Sequence, residues 1–286
     1  MVRTYLQLIR PANVVTAFSD VLAGAAIVGA LMEPSMLWLC LSTACLYAGG
    51  IVFNDFFDAE LDAIERPERA IPSGKVSLKA AFVLGSLLFI IGVISAYQVS
   101  LLSGHLAVCI VILCLLYDKF SKHNGLIGPL NMGLCRGFNF ILGMSVWPEG
   151  LSEYYYLAIF PVVYIAAITM VSRGEVHGSS RGVLILASIL YLIVGASQLS
   201  FAFIQDTWFM AFPLVSIHSY LIFKPLVLAY QDPIGPNIGK AVKAGVLSLI
   251  VMNAAWIGAS GQIYMAILVL LLLPLSLFLS KYFAVT

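Results

Sequence analysis

Three aspartates with helical spacing stand at the end of a long apolar run. Asp55, Asp58 and Asp62 occupy positions i, i+3 and i+7 of the segment 54–74. If a helix continues past Asn54, their side chains fall within about 60° of arc. Carboxylates this close repel one another unless a cation lies between them. The spacing therefore predicts a site for Mg²⁺, which binds one or two carboxylates together with waters and substrate phosphates.

Two arginines follow the aspartates by about one helical turn. Arg66 and Arg69 precede a Pro-Ser-Gly turn at 72–74, and their planar guanidinium groups match phosphate oxygens. Acidic ligands beside basic groups predict a metal-bridged diphosphate, with Arg69 neutralising its charge. The alternative is a solvated loop helix stabilised by ordinary i, i+4 ion pairs.

The composition indicates that lipid is the main solvent of this chain. Of its 286 residues, 61% are hydrophobic and only 10% are charged, too few to cover a water-soluble globule of this size. The formal net charge of +1 indicates neither an acidic nor a basic partner, and no nucleic acid is expected. The five cysteines lie in apolar runs without C-x-x-C spacing, so we expect small buried side chains rather than metal ligands.

Ten apolar runs have about the length of one membrane crossing, which is roughly 20 residues. They predict an all-α, multi-pass transmembrane bundle of nine or ten spans, forming one domain over residues 1–286. The N-terminus lacks the features of a removable signal peptide. The runs lie near 13–31, 35–53, 77–98, 102–118, 126–147, 154–171, 183–203, 208–228, 241–259 and 262–282.

The basic residues predict the orientation of the bundle. Fourteen of the fifteen Lys and Arg fall on a single side of this topology, and connections such as PEGLSE on the other side carry none. By the positive-inside rule, both termini and every even-numbered loop are expected in the cytoplasm. We therefore expect a central cavity that opens to the cytoplasmic side, in a protein of the bacterial cytoplasmic (inner) membrane.

The fifteenth basic residue, Arg136, lies inside the fifth run. A guanidinium inside a span costs several kcal/mol unless it is paired or faces water, so Arg136 is predicted to line a cavity. Asn131 and Asn139 share its run. They either contact the polar end of an acceptor or form a polar clamp between helices.

These residues resemble the motifs of the UbiA superfamily of intramembrane prenyltransferases. The first aspartate-rich motif of that family is N-D-x-x-D-x-x-x-D, followed by an R-P-x-P-S-G-type turn in which Ala70 here replaces a proline. The resemblance covers the whole chain in length and helix order, and within the superfamily it is greatest to the UbiA-like EboC group. The matching residues are Asn54, Asp55, Asp58, Asp62, Arg69, Pro72, Ser73 and Gly74, with Arg10, Pro11 and Asn13 at the start of the first span.

The resemblance implies a polyprenyl diphosphate bound through Mg²⁺ by two aspartate-rich motifs. The second motif, usually D-x-x-x-D or D-x-x-G-D, is replaced here by SRGEVHGSSR at 172–181, where Glu175 is the only carboxylate. Glu175 is expected to supply one metal ligand, and Arg173 or His177 to neutralise phosphate. Alternatively, this loop only caps two helices.

The resemblance also places a tyrosine and basic residues near the diphosphate at the end of the fourth span. Interfacial anchoring of the tyrosine and snorkelling of the lysines is the alternative. Catalytic roles are expected for Asp55, Asp58, Asp62 and Arg69, and metal ligation for the three aspartates and Glu175. Substrate contacts are expected for Asn54, Arg10, Asn13, Arg66, Tyr117, Lys119, Lys122, Asn131, Arg136, Asn139, Arg173 and His177.

The predicted function is Mg²⁺-dependent transfer of a polyprenyl group to an aromatic or other lipid-soluble acceptor within the membrane. Its expected partners are a polyprenyl diphosphate, a hydrophobic acceptor and membrane lipids. One alternative is a protein that binds or carries an isoprenoid-type lipid without transferring it. A secondary transporter fits less well, because the carboxylates lie at a helix end rather than on broken helices at the bilayer midplane.

Overall fold

The computed structural model describes residues 2–283, and every regular element in that range is helical, as the composition predicts. Besides the α-helices there are a π-helical turn, Tyr117–Ser121, and a 3₁₀ turn, Tyr155–Ala158. The helices are α1 (Val2–Ile9), α2 (Pro11–Ile27), α3 (Met36–Phe57), α4 (Ala59–Glu65), α5 (Leu78–Tyr97), α6 (Leu101–Leu116), α7 (Ile127–Met144), α8 (Pro148–Tyr154), α9 (Ile159–Ser172), α10 (Arg181–Ile204), α11 (Trp208–Gln231), α12 (Gly235–Ala259), α13 (Ile263–Leu270) and α14 (Leu272–Leu279).

Each of the ten apolar runs forms a helix or a pair of consecutive helices. Within the described residues, seven segments are long and apolar enough to cross a membrane: α3, α5, α6 with its π turn, α8 to α9, α10, α11 and α12. Pro11–Ile27 and Ile263–Leu279 are apolar but shorter, and α7 carries Arg136. A multi-pass membrane protein is therefore confirmed, whereas the number of crossings and their orientation stay predictions.

Helix α12 lies at the centre of the bundle. In its apolar window, 83% of the residues are buried, against 33% in α5, α6, α10 and α11. The outer helices expose large apolar side chains such as Phe82, Leu192 and Phe212. This distribution is the one expected where lipid, rather than water, covers the outer surface.

Small residues bring α2 and α7 into backbone contact. A Cβ added to Gly24 would lie 2.1 Å from the Phe140 carbonyl oxygen, and one added to Gly143 would lie 2.0 Å from that of Val21. Membrane helices approach closely through such residues because apolar side chains alone gain little from leaving lipid. The close approach places the polar residues of α2 directly against those of α7.

The aspartate segment is not one continuous helix. Helix α3 ends at Phe57, Asp58 adopts φ −87° and ψ 1°, and α4 begins at Ala59. The Asp58 N–H still donates to the Asn54 carbonyl and the Asp62 N–H to that of Asp58, at 3.0 and 2.8 Å. The expected continuation of α3 is therefore interrupted at one residue, but the helical spacing of the three aspartates is nearly kept.

The turn after α4 folds back under α1. Ile71 and Val76 are buried with Leu8 of α1 and Val52 of α3 in a small apolar cluster. Gly74 has φ +73°, a left-handed conformation that other residues rarely adopt. The turn is thus fixed by apolar packing on both sides, and it holds the residues near Arg69 against the aspartates.

Candidate active site

Asp55 is buried between two arginines. Its Oδ1 atom accepts hydrogen bonds from Arg10 Nη2 at 2.6 Å and from Arg69 Nη1 at 3.3 Å. Arg10 adopts a left-handed conformation with φ 47°, directly before Pro11 at the start of α2, which costs about 1 to 3 kcal/mol for a residue with a side chain. Burial lowers the pKa of Arg10 from its ordinary value, and Asp55 opposes that shift. The strained junction directs a guanidinium into the aspartate cluster.

Arg69 joins the first and last aspartates of the motif. Besides contacting Asp55, its Nη1 atom donates to Asp62 Oδ2 at 2.7 Å and to Asp62 Oδ1 at 3.0 Å. The mutual repulsion of the aspartates is thus offset by guanidinium groups. Both cations come from segments outside α3 and α4, so helical periodicity alone does not reveal them.

Asp58 is paired with Lys122, whose Nζ atom donates to Asp58 Oδ2. Lys122 directly follows the π turn, which also carries the buried Asp118. Asp118 Oδ1 accepts a hydrogen bond from Asn54 Nδ2 at 2.8 Å, whereas its buried Oδ2 has no hydrogen-bond partner among the described residues. A fourth carboxylate therefore lies beside the motif.

The loop between α9 and α10 lies at the same end of the bundle. Glu175 forms an ion pair with Arg66, with Oε2 and Nη2 3.6 Å apart, and its buried Oε1 has no hydrogen-bond partner in the described chain. Burial raises the pKa of Glu175 above its ordinary value, and Arg66 acts in the opposite direction. Arg173 Nη2 donates to the His123 carbonyl at 2.7 Å. The loop is thus tied to α4 and to the end of the fourth span.

A cavity of about 490 Å³ connects these charged groups to the apolar interior. Its charged end includes Asp58 and Lys122, and its walls include Leu46, Ile110 and Ile168. A second cavity of about 540 Å³ lies next to Asp55 and shares Arg10, Arg66, Arg69 and Glu175 with the first. The cluster of arginines and carboxylates therefore forms a common wall. The side of the membrane to which the cavities open stays a prediction.

Arg136 lies at the polar interior part of the first cavity. Its Nη1 atom donates to Asp20 Oδ2 at 2.5 Å, and its guanidinium lies 4.6 Å from the centre of the Tyr47 ring. Asp20 also accepts hydrogen bonds from Asn139 and Asn253, at 3.2 and 2.8 Å. Arg136 thus faces the cavity and is also paired, in a network that joins α2, α7 and α12.

Most of the predicted site residues lie around the first cavity, but four do not: three line neither cavity, and Asp55 lines only the second. Lys119 and His177 are exposed, and Lys119 contacts the Phe120 ring instead. Asn131 is hydrogen-bonded to Ser121 of the π turn at 2.8 Å and does not reach the cavity. The predicted residues on its lining are Arg10, Asn13, Asn54, Asp58, Asp62, Arg66, Arg69, Tyr117, Lys122, Arg136, Asn139, Arg173 and Glu175; Asp55 lines the second cavity.

Two carboxylates at the site were not among the predicted residues. Asp20 interrupts an apolar run of the sequence, and Asp118 ends one. An ionisable residue inside a membrane span is costly and commonly functional, so this interruption was the available signal. Their partners were not predictable, because Asp20 and Arg136 are separated by 116 positions along the chain.

The donor set fits a magnesium ion only if a ligand completes it. No group of three or more His, Cys, Asp or Glu side chains between residues 2 and 283 is placed to hold a metal ion. Mg²⁺ needs only one or two carboxylates when phosphates and waters supply its other ligands. Asp118 Oδ2 and Glu175 Oε1 are buried carboxylate oxygens without a hydrogen-bond partner in the described residues. The residues therefore fit Mg²⁺ held jointly with a diphosphate.

Comparison with known proteins gives a family and a fold. The sequence profile of the UbiA prenyltransferase family matches residues 14–286. A protein of Ignicoccus hospitalis named digeranylgeranylglyceryl phosphate synthase is 31% identical over 177 residues, which are 62% of this chain and 58% of that relative. The match thus spans little more than half of the relative's length.

Solved structures extend the similarity over most of the chain. The apo structure of a UbiA homolog from Aeropyrum pernix K1 has a TM-score of 0.69, with 14% identity, and covers 85% of this chain and 96% of that one. The structure of a UbiA homolog from Archaeoglobus fulgidus bound to GPP and Mg²⁺ has a TM-score of 0.58, with 16% identity, and covers 91% and 99%. At these identities the likeness shows the fold alone.

Proposed function

Because this chain belongs to the UbiA prenyltransferase family, we propose that it transfers a polyprenyl group from a polyprenyl diphosphate to a lipid-soluble acceptor within the membrane. One observation carries the proposal: paired carboxylates and cations surround one end of a cavity whose remaining walls are largely apolar. A diphosphate bound to Mg²⁺ would match the charged end, and an isoprenoid chain matches the apolar walls. The Archaeoglobus homolog, with GPP and Mg²⁺ bound, supports the same donor class and cofactor here.

Binding of the donor exchanges the partners of the cationic side chains. Arg10, Arg69 and Lys122 now donate to aspartate oxygens. In the donor complex they turn these N–H groups to the oxygens of the diphosphate. The aspartates of the motif and Glu175 would hold Mg²⁺, which would supply Lewis-acid neutralisation of the diphosphate charge. The like charges of phosphate and aspartate are thereby separated by cations throughout.

The reaction breaks the bond between the allylic carbon and the ester oxygen of the diphosphate, and the electron pair leaves with the diphosphate. The nucleophilic atom of the acceptor forms the new bond to the allylic carbon, and its proton is lost to the departing diphosphate. Guanidinium and ammonium donors at the ester oxygen stabilise the developing negative charge, which lowers the barrier. The prenyl fragment becomes cationic, and the Tyr117 ring on the cavity lining attracts a cation through its face. The apolar walls exclude water, which would otherwise consume the cation.

The second cavity favours an acceptor with an anionic head group over an uncharged aromatic one. Its described lining includes four basic residues, Arg10, Arg66, Arg69 and Lys75, and three acidic residues. The Ignicoccus relative is named for a glyceryl phosphate product, which is consistent with that class. We propose that an acceptor phosphate enters this cavity while its apolar portion remains in lipid.

The test is an assay of purified protein in lipid nanodiscs with labelled prenyl diphosphates of increasing length, Mg²⁺, and either prenylated glyceryl phosphates or aromatic acceptors. We expect a labelled lipid product, identified by mass spectrometry, from a glyceryl phosphate acceptor. Asp58→Ala should abolish it, and Glu60→Ala should not, because Glu60 is exposed on the same segment and lines neither cavity.

Donor binding without product for any acceptor would contradict the proposal. That outcome would favour a protein that carries an isoprenoid-type lipid. Product only with aromatic acceptors would keep prenyl transfer but overturn the assignment of the second cavity. Location in a bacterial cytoplasmic membrane, with the charged end facing the cytoplasm, stays a prediction.

A further inference from the structure

A π-helical turn changes the direction of the side chains at the end of α6. Across Tyr117–Ser121, the Lys122 N–H donates to the Tyr117 carbonyl at 2.9 Å, a bond that spans five residues instead of four. Single π turns occur frequently at functional sites. Here Tyr117 and Asp118 are buried, while Lys119 and Phe120 are exposed. The turn therefore presents Asp118, rather than Lys119, to the interior.

Asp118 is a buried carboxylate with an unused oxygen. The residue is only 8% exposed and lines the first cavity. Asn54 satisfies Oδ1, but Oδ2 has no hydrogen-bond partner, and Asp118 forms no ion pair within the described chain. Burying a charged oxygen without a partner is costly, so the arrangement is explained best by a ligand that is bound during function.

The neighbours of Asp118 place it beside the aspartate motif. Asn54, which holds Asp118, directly precedes Asp55 of the aspartate motif, and Lys122, which pairs with Asp58, follows Asp118 by four positions. The loop at 172–181, which lies at the same end of the bundle, offers one carboxylate, Glu175. The π turn thus places a further carboxylate beside the motif, in addition to the single one of the loop.

We infer that Asp118 is a Mg²⁺ ligand, which binds the ion through Oδ2 together with Asp58 and diphosphate oxygens. The inference rests on the proposed diphosphate site but not on transfer itself. Asn54 holds the carboxylate by Oδ1, and hydrogen bonds of this kind orient metal ligands and raise their affinity. Mg²⁺ accepts such a set because it requires few protein ligands when phosphate is present.

The test measures metal binding rather than turnover. Full-length protein in nanodiscs is equilibrated by dialysis with Mn²⁺ and inorganic pyrophosphate, and the retained Mn²⁺ is quantified. Asp118→Asn keeps the size of the side chain and an oxygen for Asn54, but removes the charged ligand. We expect this variant to bind Mn²⁺ with pyrophosphate about tenfold or more weakly, the scale found for altered metal sites. Glu60→Gln should bind like the unmodified protein.

The thermal unfolding midpoint without metal separates this role from a structural one. Asp118→Asn should unfold at the same temperature as the unmodified protein or higher, because it removes a buried charge. Unchanged Mn²⁺ retention in Asp118→Asn, or no retention by the unmodified protein, would overturn the inference. If Asp118→Asn loses prenyl transfer but retains as much Mn²⁺ as the unmodified protein, the inference is overturned and the proposed function stands. If Mn²⁺ retention depends on Asp118 but the unmodified protein transfers no prenyl group, the inference stands and the proposed function is overturned.

Discussion

Replacement of Asp20 by asparagine should destabilise the bundle strongly. Asp20 is fully buried on α2 and accepts hydrogen bonds from Arg136, Asn139 and Asn253. In Asp20→Asn, the side chain keeps one acceptor oxygen but presents N–H groups where donors already point. Arg136, which is 5% exposed, then retains its charge without a carboxylate partner.

The size of the effect follows from the burial of this ion pair. Removing one partner of a buried pair costs about 3 to 5 kcal/mol, because an uncompensated charge remains. Arg136 keeps its hydrogen bond to Thr16 and its contact with the Tyr47 ring, which favours the lower end of that range. A loss of about 3 kcal/mol corresponds to a decrease of roughly 5 °C in the unfolding midpoint of a chain of this size.

The assay is thermal unfolding of the purified protein in one detergent. Asp206→Asn is the matched control, since Asp206 is exposed and its left-handed backbone, φ 55°, also suits asparagine. The double variant Asp20→Leu with Arg136→Met should be more stable than Asp20→Asn, because it removes both charges. Equal midpoints for Asp20→Asn and Asp206→Asn would refute the reasoning.

Three further predictions concern the site and the packing around it. Asp62→Asn should lower the prenyl transfer rate at least 100-fold in the product assay, because it removes a charged oxygen that would hold Mg²⁺, whereas Glu60→Gln should have no effect. Gly143→Leu should prevent stable folding, seen as loss of a monodisperse peak in size-exclusion chromatography, because its Cβ would lie 2.0 Å from the Val21 carbonyl oxygen. Retention of Mn²⁺ with pyrophosphate should weaken as the pH falls, because only an ionised carboxylate binds metal. The weakening should begin above the ordinary titration range of a glutamate, since burial raises the pKa of Glu175. Glu175→Gln should bind Mn²⁺ more weakly at neutral pH and lose this part of the pH dependence.

Each of these predictions has a contradicting result. Equal transfer rates for Asp62→Asn and Glu60→Gln would remove Asp62 from the catalytic residues. A monodisperse, stable Gly143→Leu protein would show that α2 and α7 need not touch. A Glu175→Gln protein with the same pH dependence as the unmodified chain would assign that titration to another carboxylate.

The sequence predicted the elements and the principal motif because these depend on local patterns. Apolar runs of one membrane thickness require helices, since lipid offers no partner for backbone hydrogen bonds. The i, i+3, i+7 spacing of Asp55, Asp58 and Asp62 requires only helical geometry, and Asp55 and Asp62 still meet at Arg69 despite the break at Asp58. Arg136 was predicted to line a cavity because an unpaired charge in a span is too costly.

Only the tertiary structure decided which cation meets which carboxylate. Arg10 and Asp55 are 45 positions apart, Lys122 and Asp58 are 64 apart, and Arg136 and Asp20 are 116 apart. The contact of α2 with α7 depends on glycines whose role is visible only when the two backbones meet. The π turn shifts the side-chain directions after Leu116, so Asp118 faces inward and Lys119 outward. Periodicity fixes which residues share a helix face, but the packing of helices distant in sequence determines what each face contacts.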